Sequence, residues 1–295
     1  MAQEWTPSPT GFVEPCSSNP ERVGRDGFLG LRFERRLGRT ILGQCRFKLP
    51  LQALTPAELA DGTAYLMLLN PTGGLVGGDH LSTQIILEAG TSVCLTTPSA
   101  TRVYRTRDQP AVQEARIQLG EGASLEYLPD HVIPHGNARF HQLQRIEMAR
   151  GSRAIFWDAL AAGRVAHGER WDFREVDSST EISLRGRAVF LNRTRIRPAS
   201  LDPKRLGFAD GFNYLATLVI VADDFDDWKE TATALDAELR KMSRVYGGAS
   251  ALPSHGCNVK LLAPSASDLV AAQAALWACA RDLVFGSPAF DLRKY

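Results

Sequence analysis

Residues 70–79 read Asn-Pro-Thr-Gly-Gly-Leu-Val-Gly-Gly-Asp and follow an apolar stretch at 65–69. A glycine-rich run after a strand is where a phosphate loop would lie, its backbone N–H groups cradling the anion. The flanking residues refuse that chemistry. A Walker loop needs Lys and Ser or Thr after its last glycine, whereas Asp79 and His80 stand there. A carboxylate repels phosphate, a strand-like pattern at 82–87 replaces the required helix, and no G-x-G-x-x-G spacing is present. What remains is a turn with unusual backbone angles, or a close backbone approach.

The six histidines are His80, His131, His135, His141, His167 and His255. His131 and His135 are four residues apart, but Pro134 lies between them and Pro129 just before, which argues against a helical metal pair. With Asp130 they define one alternative, a hydrolase or transferase site around 130–141, provided a pocket gathers them with a nucleophile or metal. The five cysteines (16, 45, 94, 257, 279) are odd in number and widely spaced, so neither a disulfide framework nor a zinc knuckle is indicated. No G-x-S-x-G elbow occurs, and Cys257 beside His255 lacks a strand–turn–helix setting. No catalytic set can be read.

The elements that would position these residues are mostly strands. Leu29, Leu31 and Phe33 alternate with polar residues, and a turn near Gly38 leads into a second alternating stretch to Leu49, predicting a hairpin. Thr55-Pro56-Ala57-Glu58 has the cap and first-turn pattern of a short helical turn. Ala115, Ile117, Leu119 and Ala123, Leu125, Tyr127 alternate likewise. Between such strands the turn glycines Gly90, Gly122 and Gly151 recur at 32 and 29 residues. That period fits stacked β-layers, and it also fits hairpin turns in an ordinary sandwich. Two helical patterns appear late. One covers 224–246, with Leu235, Leu239, Met242 and Tyr246 on one stripe and Gly247-Gly248 as its stop. The other covers 265–285, with a Ser265-x-x-Asp268 start and a Leu269, Ala272, Leu276, Cys279, Leu283 stripe. Both stripes are expected to pack on the sheets. The fold class is therefore mainly β, a stacked β-helix-like or two-layer sheet body carrying two helices in its C-terminal half. Residues 1–27, polar and rich in Pro, Gly and Ser, read as a flexible tail, and 28–295 as a single β-rich domain.

Of the 295 residues, 44% are apolar and 23% charged, as in ordinary globular proteins. Lys plus Arg is 34 against 33 Asp plus Glu, so no basic surplus marks a nucleic-acid binder. Only six of those cations are Lys, and Arg suits interfaces through its flat, weakly hydrated fork, although on composition alone codon usage is the simpler account of the bias. No apolar run approaches the length of a membrane span and no secretory signal is visible, so a cytoplasmic protein is expected.

Taken in order, several segments resemble the urease accessory protein family UreD, also called UreH. They are the 70–79 segment, Thr96-Thr-Pro-Ser-Ala-Thr-Arg-Val-Tyr-Arg105, Leu125-Glu-Tyr-Leu-Pro-Asp130, Ile133-Pro134 and Ala138-Arg139-Phe140. Gly163-Arg164, Gly168-Glu169, Leu261-Leu-Ala-Pro264 and the helix with Trp277 and Arg281 follow. Pro98, Arg102, His131 and His135 depart from the residues usual in the family, as does the segment 46–58. The resemblance implies a non-catalytic metallochaperone scaffold. Such a protein binds apo-urease, recruits UreF and through it the GTPase UreG, and helps insert nickel into urease. It implies no tightly bound cofactor, nickel in transit along an internal path, and a homodimer within the accessory complex. A transit path needs weak, open ligands rather than a cage. Asp79, ending the glycine segment, and Glu169, after Gly168, are the candidate nickel-transit residues. Turn capping or pairing with arginine is the competing reading for each. A β-rich binding module with no metal role is the remaining alternative.

Overall fold

The computed structural model describes residues 12–13, 24–200 and 202–292. Cys16 and most of the expected tail lie outside them. The strands of the first half are β1 (Asp26–Arg36), β2 (Arg39–Lys48), β3 (Gln52–Ala53), β4 (Ala57–Glu58), β5 (Ala64–Leu69), β6 (His80–Leu87), β7 (Ser92–Thr96) and β8 (Thr101–Val103). Next come β9 (Ala111–Leu119), β10 (Ser124–Leu128), β11 (Val132–Pro134), β12 (Arg139–Met148), β13 (Arg153–Ala161), β14 (Glu175–Leu184) and β15 (Arg187–Ile196). The chain closes with β16 (Tyr214–Ala222), α1 (Trp228–Arg240), β17 (Tyr246–Ala251), β18 (Gly256–Ala263) and α2 (Ala266–Ala280), which widens into a π turn at Arg281–Phe285.

The expected hairpin is β1–β2, and its two-residue loop places Leu37 and Gly38 at φ 49° and 80°, the pairing that matches strand twist. From β6 onward the chain winds as a coil, each turn laying one strand on each of two sheets. One sheet runs β15-β14-β12-β9-β6-β1-β2, with β1, β6, β9, β12 and β14 mutually parallel. The facing sheet runs β17-β18-β16-β13-β10-β7-β5-β3, parallel from β5 to β13. The ~30-residue period is this coil. Its turn glycines stack, Gly90 N–H donating to Glu121 O at 2.8 Å and Gly122 N–H to Arg150 O at 3.0 Å. Of the two readings of that period, stacked layers is the observed one.

The larger apolar core lies between the sheets, with Leu29, Leu31, Phe33, Ile85, Ile117, Leu125, Phe140 and Phe156 buried. A second core lies between the outer face of the other sheet and the helices, built from Trp157, Leu218, Ile220, Leu235, Leu269, Leu276 and Trp277. α2 starts as the sequence predicts: the Ser265 side chain accepts from Asp268 N–H at 3.2 Å. Its stripe holds at Leu269, Ala272 and Leu276, while Leu283 is 42% exposed.

Two expectations change. Residues 57–58 form strand β4 rather than a helical turn, because Ala57 and Glu58 pair with Tyr65 and Ala64 on β5. The first late helix ends at Arg240 instead of running to 246. Tyr246 and Gly247-Gly248 enter strand β17, where a Cβ on Gly247 would lie 2.5 Å from Lys260 O, so glycine permits the close pairing with β18. At the N-terminus, strand β1 already begins at Asp26, and Phe12 and Val13 are docked. Phe12 lies on Gly30 and Phe28, and Val13 N–H donates to Gln84 Oε1 at 3.0 Å.

Candidate functional site

Alternation puts every second residue of a strand between the sheets, and in one zone those inward residues are polar. Gln113, Gln142, Ser178 and Thr194 are register partners across β9, β12, β14 and β15. In the adjacent row Thr83, Ala115, Gln144 and Thr180 are partners across β6, β9, β12 and β14. The rows are tied internally. Ser178 Oγ donates to Gln142 Oε1 at 2.9 Å, and Thr180 Oγ1 to Gln144 Oε1 at 2.8 Å. From the facing sheet Asp158, Thr217 and Lys260 form a matching row on β13, β16 and β18.

These rows border two cavities of about 720 and 130 Å³, and Val132, Gln142 and Asp158 line both. The smaller is walled by Asn70, Gly73, Gly74, residues 97–102 and Asp130. The larger opens between β15 and β17 beneath Phe208 and Tyr246. Asp158 thus lines both cavities. Burial pushes its carboxyl up to about 6, against the pull of the Ser178 hydroxyl and the Ala159 N–H. At the outer mouth Lys260 Nζ spans the sheets to Asn192 Oδ1 at 2.8 Å.

The glycine segment forms the wall of the smaller cavity and docks on β8: Leu75 bridges Val103, and Leu75 N–H donates to Arg102 O at 2.8 Å. A Cβ on Gly74 would lie 2.5 Å from Arg102 O, so the close approach explains that glycine. Asp79 ends the segment 7% exposed, its Oδ2 accepting from Val76 N–H at 2.8 Å. Glu169 accepts from Arg164 Nε at 2.8 Å and from Gly136 N–H at 3.1 Å, and its Arg164 partner holds its carboxyl down to about 2. The two carboxylates sit on separate turns, Asp79 before β6 and Glu169 between β13 and β14, and neither is among the residues lining the two cavities. Their geometry is that of a turn cap and an arginine partner.

Asp130, His131 and His135 do not converge either. Asp130 faces the smaller cavity, the His131 ring stands edge-on to Tyr214 at 5.2 Å, and the His135 ring edge-on to Tyr104 at 4.9 Å. Among the described residues no group of three His, Cys, Asp or Glu side chains is placed to hold a metal. Sequence reading missed Asp158, Gln142 and Gln144. Asp158 did leave a signal, being a lone carboxylate inside the otherwise apolar run 154–161. The two glutamines left none, since alternation does not say which face of β12 looks inward.

The fold and its interior define a class: a coiled, two-sheet scaffold enclosing two cavities that share polar lining residues. The UreD urease accessory protein profile matches residues 25–294. The chain is 35% identical to the urease accessory protein UreD of Herpetosiphon aurantiacus, over 88% of this chain and 93% of that one. It is 36% identical to UreD of Mycolicibacterium gilvum, over 83% and 89%, and 30% identical to UreD of Actinomyces naeslundii, over 91% and 98%. The chain belongs to the UreD family of urease accessory proteins, which serve urease maturation and are not catalysts. The segments that carry the resemblance at 70–75, 97–102 and 127–130 converge on the smaller cavity. No helix among the described residues is long and apolar enough to cross a membrane.

Proposed function

We propose that this chain binds apo-urease and, with UreF and through it UreG, assists nickel insertion, the passage between the sheets serving as the internal route for the ion. A homodimer within the accessory complex, in the cytoplasm and without a tightly bound cofactor, belongs to the same proposal. Family membership supports the urease half. The observation that carries the nickel half is Asp158, a carboxylate lining both cavities.

A route must attract a cation and then release it. One carboxylate among amide and hydroxyl oxygens does so, whereas several imidazoles or thiolates would trap Ni²⁺. The raised pKa of Asp158 loosens the hold further, because a proton competes for the same oxygens near neutrality. Asp79 and Glu169 are the alternative stations, at turns outside the passage.

The test is nickel loading of apo-urease in the reconstituted accessory complex, with co-purification of UreF and apo-urease as the control for assembly. Asp158→Asn is expected to leave co-purification intact and cut the rate of loading at least tenfold. Joint Asp79→Ala and Glu169→Ala substitution that assembles and loads normally would remove those two from the route. Normal loading by Asp158→Asn would leave a binding module with no metal role.

A further inference from the structure

Among the described residues β15 is the outer strand of its sheet, paired only with β14, and Leu191 on it is 72% exposed. Its outward residues include Arg193, Arg195 and, just beyond its end, Arg197. Two carboxylates of β14 hold them. Arg193 makes a two-point pair with Asp177 at 3.0 and 2.8 Å, and Arg195 and Arg197 both donate to Glu175 Oε1, at 3.0 and 2.9 Å. Arg139 adds a fourth guanidinium 3.7 Å from Glu175. Four guanidiniums therefore share two carboxylates. The Glu175 and Asp177 side chains are only 6% and 14% exposed, while Arg193, Arg195 and Arg197 are 62%, 47% and 48% exposed. What solvent meets along this edge is a row of positive charge repeating every second residue.

The inward residues Thr194 and Ile196 line the larger cavity together with Phe208 and with Tyr246, Gly247 and Gly248 of β17. At this place the two sheets part, and an open strand edge flanks a cleft that mixes apolar residues (Ile196, Phe208, Leu215) with polar ones (Gln142, Asp158, Lys260).

We infer that the β15 edge is a docking site for an extended segment of a protein partner that carries carboxylates at alternate positions. Added as a further strand, the segment would satisfy the free backbone groups of β15. Its outward side chains would repeat every ~6.6–6.8 Å, the spacing of the arginine row, and oppositely charged cross-strand neighbours stabilise pairing. Its intervening residues would turn toward Ile196, Phe208 and Tyr246, which favour apolar side chains. A second copy of this chain fits poorly, because it would bring the same arginines against one another. Nothing in this docking requires a cation to pass through the interior.

The probe is a labelled eight-residue peptide alternating Glu and Val, compared with its block isomer (four Val, then four Glu) and with a peptide alternating Lys and Val. The alternating acidic peptide is expected to bind the full-length protein at least tenfold more tightly than either control, and to slow hydrogen exchange at amides 187–196. The double variant Arg193→Gln/Arg195→Gln should lose at least tenfold. If Asp177 and Glu175, deprived of partners, prevent that variant from folding, the exchange measurement on the unaltered protein decides. Equal binding of the block isomer, slowed exchange at 246–251 in place of 187–196, or slowing of 187–196 by protein concentration alone would each overturn the inference.

Discussion

The neighbours of Asp158 at inward positions of β13, Phe156 and Leu160, pack in the apolar core, while its own carboxyl faces the cavities. An acid whose pKa is raised by folding binds its proton more tightly in the folded state. Its stabilising effect is complete below the unfolded value near 4 and is lost as pH climbs through about 6. At pH 7 the ionised group is therefore a penalty. Asp158→Asn is expected to raise unfolding free energy at pH 7 by up to ~3 kcal/mol and to match the parent near pH 4. Urea titrations at the two pH values check this, and a gap that does not narrow on acidification would refute it. A variant more stable yet slower in loading urease would separate a functional role for Asp158 from a structural one. At Asp79 and Glu169 the glycines nearby were legible, whereas the donors were not: Val76 N–H donates to Asp79, and Arg164 and Gly136 N–H donate to Glu169.

At the scale of elements, two devices hold the coil and its helices in register. The first is the approach of one turn to the next: a Cβ on Gly120 would lie 2.8 Å from Ala89 N and 3.0 Å from Leu87 O. Gly120→Ala is expected to lower stability by ~1–3 kcal/mol through overpacking against backbone that cannot yield, read as a drop in the denaturation midpoint. The second pins α2 to β10. Arg281 and Glu126 are 3% and 1% exposed and paired at 3.1 Å, and the Trp277 indole N–H also donates to Glu126. Arg281 reaches Asp61 and Pro288 O as well, and its guanidinium lies 4.9 Å from the Phe290 ring centre. Arg281→Ala, which leaves Glu126 buried and unpaired, is expected to lose ~3–5 kcal/mol. Glu126→Leu/Arg281→Met removes both charges and should lose far less. Equal losses in the two variants, measured by urea unfolding, would show that packing rather than charge is at stake. Trp277 and Arg281 were legible as members of the second helix. Their partner was not, because Glu126 lies 155 residues from Arg281 and reads locally as an outward polar residue of an alternating strand.

For the whole molecule, the near-equality of 34 cations and 33 anions fits a scaffold that meets other proteins. The Arg-for-Lys bias gains a structural use in the guanidinium row of β15. Both sheets extend without interruption from the first half of the chain to the second, and the main core takes residues from Leu29 to Val221. A single cooperative unfolding transition is therefore expected, with far-ultraviolet circular dichroism and tryptophan fluorescence changing together. Two resolved transitions would show that residues 28–295 do not act as one domain.

Strand alternation, the turn glycines at a ~30-residue period and the Ser265 cap were determined by the sequence alone, because each depends on a residue and its near neighbours. The paired strands β1–β2 and the start of α2 follow from such local rules. Tertiary structure decided what depends on distant partners. Tyr246 lies in a strand although its spacing continues a helical stripe, since β18 offers it a pairing edge. Ala57 and Glu58 pair with β5 although they look like a first helical turn. The polar lining of the larger cavity was decided the same way: Gln142, Ser178 and Asp158 come from three strands, and only the parallel register of the coil and the facing of its two sheets bring them to one cavity.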